Sequence, residues 1–370
     1  MKRIYADYNA TTPLAPESLA AMLPYSAGKF GNPSSVHREG RDARAALDDC
    51  RVRMAKLLGA QENEIIFTSG GSESDNTAIL GAPAGHIITT GIEHNAVLHP
   101  AELRHATLLP ANRDGFVDPN DLKKAIRPDT ALVSIMSANN ETGTLQPVKE
   151  LAAICRERGV PFHTDAVQSF GKEPVNVNDW GVDMLSLAAH KFYGPKGVGL
   201  LYVRRGTKFQ PLVVGGSHEN ERRAGTENVA GIVGMTVAAE RSVAQMPTES
   251  CRLFGLTEKL AAGIAARIPG AHRNGHATRR AGNTVNFSFE GCTFDGLLMN
   301  LDLEGVAVSS GAACAAGSLR PSHVLSAMGL PVELARAAVR FSLGEHSTEE
   351  DLAGILDALE RVVARLRRTA

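Results

Sequence analysis

From residue 64 to residue 203 the chain alternates short apolar runs with helical patterns, and no other feature limits its fold so strongly. The runs cover 64–69, 85–90, 131–137, 162–165, 184–189 and 198–203. Between them, amphipathic stretches close at Leu80 and Leu103 or cover 121–126 and 150–158. Such repetition predicts a mostly parallel sheet with helices on both faces, with 198–203 as an antiparallel partner. Ligands of such sheets sit at the carboxyl ends of the strands. Ser72, His94, Asn140, Asp165 and Lys191 all fall there.

Two of those residues suit one cofactor. Lys191 follows the buried run 184–189 and precedes a Gly/Pro-rich turn: it is either a solvated loop residue or, in partly dry surroundings that disfavour an ammonium, an amine freed as a nucleophile,. Asp165 closes another buried strand about 25 residues earlier, and a lysine with an acid for the ring nitrogen is the pairing that binds pyridoxal 5′-phosphate,. Upstream, Gly70-Gly71-Ser72-Glu73-Ser74-Asp75 links a strand to a helix. Small residues there either offer free N–H groups and the helix dipole to a phosphate or make an ordinary Ser-capped turn. The ring of His94 either stacks on a flat cofactor or serves the structure alone,. Neither nucleotide fingerprint nor a His-Glu-x-x-His zinc motif occurs,.

At 370 residues there is room for one large or two ordinary domains,. The pattern divides the chain into a large α/β domain, 15–245, and a smaller α+β domain made of 1–14 and 246–370. Past residue 203 it predicts separate helices over 229–239 and 253–266, a polar loop over 270–282, and strands again from Thr284. A net charge of −1 gives no electrostatic ground for nucleic acid or an anionic membrane as partner,. No apolar stretch reads as a membrane span or a signal peptide, so a cytoplasmic location is expected,. Five scattered cysteines argue for reduced thiols rather than a disulfide framework,. Among them Cys314 stands apart, flanked by Ser, Gly and Ala over 305–319, either as an approachable thiol or as filler of a small gap,.

The ordered motifs Asp7-Tyr-Asn-Ala-Thr-Thr, Gly31-Asn-Pro-Ser-Ser-Val-His, Phe67-Thr-Ser-Gly-Gly-Ser-Glu-Ser-Asp-Asn76, Ala138-Asn-Asn-Glu-Thr-Gly143, His163-Thr-Asp-Ala-Val-Gln168, His190-Lys191, Arg222-Arg-Ala-Gly-Thr-Glu-Asn228 and Ser309-Ser-Gly-Ala-Ala-Cys314 run nearly end to end. On them the chain resembles the cysteine desulfurases of the class V aminotransferase superfamily, fold-type I pyridoxal-phosphate enzymes, in the long-cysteine-loop, nitrogen-fixation-type branch. The resemblance implies a homodimer that converts L-cysteine to alanine and passes the sulfur, as a Cys314 persulfide, to an acceptor such as an iron–sulfur scaffold. It implies that Lys191 carries the cofactor and shuttles protons, Asp165 meets the ring nitrogen, Gln168 the ring oxygen, and His94 the ring face. Gly71, Ser72 and His190 would hold the phosphate, Thr226 would reach it from the other subunit, and Asn140 and Arg340 would bind the substrate carboxylate. Ala188 stands where many relatives carry a hydroxyl, so one phosphate contact is expected to be missing. A selenocysteine lyase or another enzyme of the superfamily is the alternative, with selenium the easier atom to remove.

Overall fold

The computed structural model describes residues 3–310 and 321–369. Seven strands form its main sheet, in the spatial order Ile65–Thr68, Gly199–Val203, Met184–Ala188, Phe162–Asp165, Thr130–Ser134, His86–Thr90, Thr107–Leu109. All neighbours run parallel except Gly199–Val203, which is antiparallel to the strand on either side. The α/β class and the antiparallel partner read from the sequence are both present.

Side-chain alternation explains the layers. Ile65 and Phe67 face a core shared with Leu47, Met54 and Leu58 of the helix Arg38–Leu58, while Ile66 faces the opposite side,. That second side is covered by Ile79 of Gly71–Leu80 and Val97 of Asn95–Leu103. A strand buried on both faces must be apolar throughout, and Met184–Ala188 and Gly199–Val203 are buried at every residue,.

A separate core lies around the three-stranded antiparallel sheet Ala338–Ser342, Thr284–Phe289, Ala271–Asn274. Ile4–Tyr5 pairs in parallel with Val306–Ala307, tying the N-terminal segment to this part of the molecule. Several elements differ from the sequence reading: the edge strand Thr107–Leu109 and the short strand Ile4–Tyr5 were not expected, and two further differences have clear causes. The helices expected over 229–239 and 253–266 are one helix, Val229–Arg267, that continues through Pro247. An interior proline costs about 3 kcal/mol. That cost is offset by burial at both ends: Ile232 and Met235 enter the large core, and Leu253, Leu260 and Ile264 the smaller one,. The expected loop 270–282 contains the edge strand Ala271–Asn274, whose polar His272 and Arg273 hide it from an apolar count,.

Candidate active site

Five strand ends open onto one cavity of about 330 Å³. Gly71, Ser72, His94, Asn140, Asp165, Gln168, His190, Lys191 and Arg340 line it, together with Asn9, Asp75, Glu141, Ala188 and His323. The first nine were singled out in the sequence; the other five were not assigned a place in it, Ala188 excepted. Thr226 lies apart on an exposed rim with Ser69, Gly197 and Arg223, and does not line the cavity of its own chain. Cys314 lies outside the described residues.

The helix Gly71–Leu80 starts at the cavity wall. A Cβ on Gly71 would sit 3.0 Å from Val167 Cγ2 and 3.4 Å from Ala188 Cβ, so a side chain here would crowd Val167 where glycine does not,. Its opening N–H groups and positive dipole end suit an anion. Lys191, just past Met184–Ala188, donates to the backbone oxygens of Asn9 (2.6 Å) and Ala10 (2.8 Å). Asp165 ends its strand buried, with one oxygen accepting from the Val167 N–H at 2.8 Å. Burial pushes its carboxyl up to about 6, against the Val167 hydrogen bond and the Lys191 charge,.

His94 caps the helix Asn95–Leu103: its Nδ1 accepts from the Ala96 N–H at 3.1 Å. Burial first, then Lys191, His323 and His99, bring the ring down to about 4, so it is neutral at pH 7 with its proton on Nε2,. His190 is likewise lowered to about 4, by burial and then Lys191 and Lys196. Arg340 is buried, with Nη2 on Asp7 Oδ1 at 2.6 Å and Nη1 on the Asn140 backbone oxygen at 2.9 Å. Its Nε has no partner, and neither does Asn140 Oδ1. Buried polar atoms left unmatched cost free energy unless a ligand meets them.

Sequence reasoning missed the group that ties these residues together. Asn9 accepts from Lys191 and Gln168 through its backbone oxygen, and its side-chain amide donates to the Asn140 oxygen and to Thr284 Oγ1. Asp7 and Glu93 were missed too. Glu93 is buried beside His94, with Oε1 accepting from Thr90 Oγ1 and the Met136 N–H, both at 2.9 Å. Burial, supported by the Asp165 charge, raises it to about 8 despite both hydrogen bonds. The signal available was weak: Asp7 and Asn9 open the first quoted motif, but nothing local shows what they face.

The donor set fits pyridoxal phosphate. A buried carboxylate, a nearby lysine, a neutral flat ring, a helix start without a Cβ and uncommitted polar atoms at Asn140 and Arg340 converge on one cavity. Among the described residues no cluster of His, Cys, Asp or Glu could hold a metal ion.

This site and fold define an enzyme class, and the sequence comparison names the same one. The family described as Aminotransferase class-V matches residues 4–355, and the chain belongs to it. The cysteine desulfurase IscS of Dictyoglomus turgidum is 52% identical over 99% of this chain and 96% of its own. The cysteine desulfurase NifS of Azotobacter vinelandii is 45% identical over 100% of this chain and 95% of its own. Among solved structures, a NifS-like protein superposes with a TM-score of 0.92 at 36% identity, covering 98% of this chain and 100% of that one. A structure of SspA in complex with cysteine gives 0.81 at 37% identity over 93% and 100% of the two chains.

Proposed function

We propose that this chain is a pyridoxal-phosphate-dependent L-cysteine desulfurase whose reaction runs in the cavity at the strand ends. The observation that carries the reading is the meeting of Lys191 and Asp165 with a buried arginine, Arg340, that still has a donor to spare. Lys191 holds the cofactor and moves the substrate α-proton. Asp165 meets the ring nitrogen, Gln168 the ring oxygen, and His94 the ring face. Gly71, Ser72 and His190 hold the phosphate, with Thr226 of a second copy completing the seat in a homodimer. Bound pyridoxal phosphate supplies an electron sink for the pair left when the α-proton departs.

Asn140, through its side-chain N–H, and the Arg340 guanidinium bind the substrate carboxylate, the arginine through a two-pronged contact. His94, neutral with its proton on Nε2, is poised to exchange protons on the cavity side. The Cys314 thiolate then attacks the substrate sulfur. The substrate carbon–sulfur bond breaks, a sulfur–sulfur bond forms, and the carbon takes a proton, so cysteine and thiol become alanine and persulfide with no outside oxidant. Backbone pairing of Ser309 with Arg340 (2.6 Å) anchors the root of the segment that carries Cys314 beside the carboxylate-binding residue.

The division into a large body, 15–245, and a smaller one, 1–14 with 246–370, belongs to this reading, as does a cytoplasmic enzyme that hands its sulfur to an iron–sulfur scaffold. No helix among the described residues is long and apolar enough to cross a membrane. Cys314→Ser tests the sulfur step. With the cofactor and carboxylate contacts intact, cysteine should still change the cofactor's absorption, while alanine and persulfide production should fall to background. Turnover at the unmodified rate overturns the role of Cys314. Comparing alanine release from cysteine and selenocysteine separates the desulfurase from a selenocysteine lyase.

A further inference from the structure

Lys172 is the second lysine at this site, and nothing in the reaction above uses it. The residue is half-buried, with its ammonium end turned inward and a small cavity of about 30 Å³ beside it. Its Nζ lies 2.9 Å from Gln168 Oε1 and 3.5 Å from Asn9 Oδ1. An ammonium donates and cannot accept. It therefore dictates which end of the Gln168 amide is oxygen, an assignment otherwise free to flip. With Oε1 held by Lys172, Nε2 faces the other way and donates one N–H to the Asn9 backbone oxygen at 3.0 Å. The remaining N–H of that amide is the donor Gln168 can offer to the cavity it lines,.

We propose that Lys172 is a positioning residue for the cofactor: it fixes and polarises Gln168 so that the amide presents an N–H, never an oxygen, to the ring oxygen of pyridoxal phosphate. The charge on Oε1 draws density along the amide and strengthens the N–H at its far end. Burial, then the Lys191 and Arg340 charges, bring Lys172 down to about 7, so its ammonium form acts on Gln168 from behind the cavity wall rather than as a further cation lining the cavity,. The inference rests on the reading that Gln168 faces the cofactor, and the test separates the two.

Apo-protein of the wild type and of the Gln168→Ala, Lys172→Met and double variants is titrated with pyridoxal phosphate, following dissociation constant and absorption maximum. Circular dichroism selects folded protein, and Lys172→Gln, which keeps a neutral donor, carries the test if Lys172→Met does not fold. Lys172→Met should weaken binding about fivefold and shift the maximum in the same direction as Gln168→Ala, with Lys172→Gln in between. The double variant should be no weaker than Gln168→Ala alone. Fully additive losses, or a Lys172→Met protein that binds like the wild type while Gln168→Ala does not, overturn the proposal for Lys172. No change in Gln168→Ala overturns the underlying reading of Gln168 as well.

Discussion

Two buried arginines sit in different regions and are treated in opposite ways. Arg280, in the turn before Thr284, spends every donor: Nε on the Ala277 oxygen, Nη1 on those of Ala281, Gly282 and Thr284, Nη2 on Thr257 Oγ1 and Glu258. Arg340, no more exposed, binds Asp7 and one backbone oxygen and leaves Nε unmatched, as is Asn140 Oδ1. A buried cation with all its hydrogen bonds made serves architecture. One that keeps a donor in reserve beside a cavity serves a ligand. The contrast between the two arginines can be tested directly.

The largest effect should come from Lys191→Ala. Removing the amine should cut alanine formation by at least about a thousandfold, since it deletes both nucleophile and proton carrier. Folding should survive, because the cores lie elsewhere. On the proposal that Thr226 serves the site of a second copy, refolding these chains together with Thr226→Ala chains should restore activity above either parent, because one site of each mixed dimer would then carry neither change. Wild-type turnover in Lys191→Ala would break the division between ligand site and architecture at its centre.

Next come the arginines themselves. Arg340→Lys should raise KM for cysteine by on the order of 30-fold, one charge-assisted contact, with little change in Tm. Arg280→Lys should do the reverse: an unchanged KM and a clearly lowered Tm, because several buried oxygens lose their donor,. Matching Tm losses in the two variants would erase the distinction.

The parts of this site that the sequence disclosed share one property. Asp165 closes a buried strand, and His94 and Lys191 follow such strands within a few residues, so the apolar run announces the position and the parallel sheet brings the positions together,. Asp7, Asn9 and Lys172 have no such herald. Asn9 meets Asn140, Lys191 and Thr284 across 131, 182 and 275 residues of chain, and such contacts leave no periodicity to read. The continuous helix Val229–Arg267 was obscured for a related reason. Pro247 is a local stop signal, and the burial that overrides it comes from two cores that only the folded chain possesses,.

Glu93 gives a smaller effect with a definite sign. Its carboxyl, raised from 4.5 to about 8 chiefly by burial, stays protonated in the folded protein while the unfolded chain releases the proton,. The resulting stabilisation is complete below about pH 4.5 and is lost as pH rises through about 8,. Glu93→Gln keeps an uncharged group of the same shape and removes the titration. Between pH 5 and 8.5 the wild-type Tm should therefore fall relative to that of the variant. A constant difference between the two melting curves would place the ionisation of Glu93 outside this window.

The smallest predicted change is a gain, at a position on the cavity wall that offers no hydrogen-bond donor from its side chain. Ala188 ends the strand Met184–Ala188, is buried, and lines the cavity wall next to Gly71 at the start of the helix Gly71–Leu80, the proposed phosphate seat. The methyl contributes packing but no donor. Ala188→Ser adds a hydroxyl on that wall without a change of backbone, and one added hydrogen bond is worth about 1 kcal/mol, or a roughly fivefold slower loss of cofactor on dialysis. Stability of the cofactor-free protein should not rise, since a serine that meets an anionic ligand has its hydroxyl satisfied only when the ligand is bound. Unchanged retention would mean that another donor already serves the phosphate there. Slower loss together with a raised Tm of the cofactor-free protein would mean that the hydroxyl had joined the architecture instead, the role that Arg280 plays and Arg340 does not.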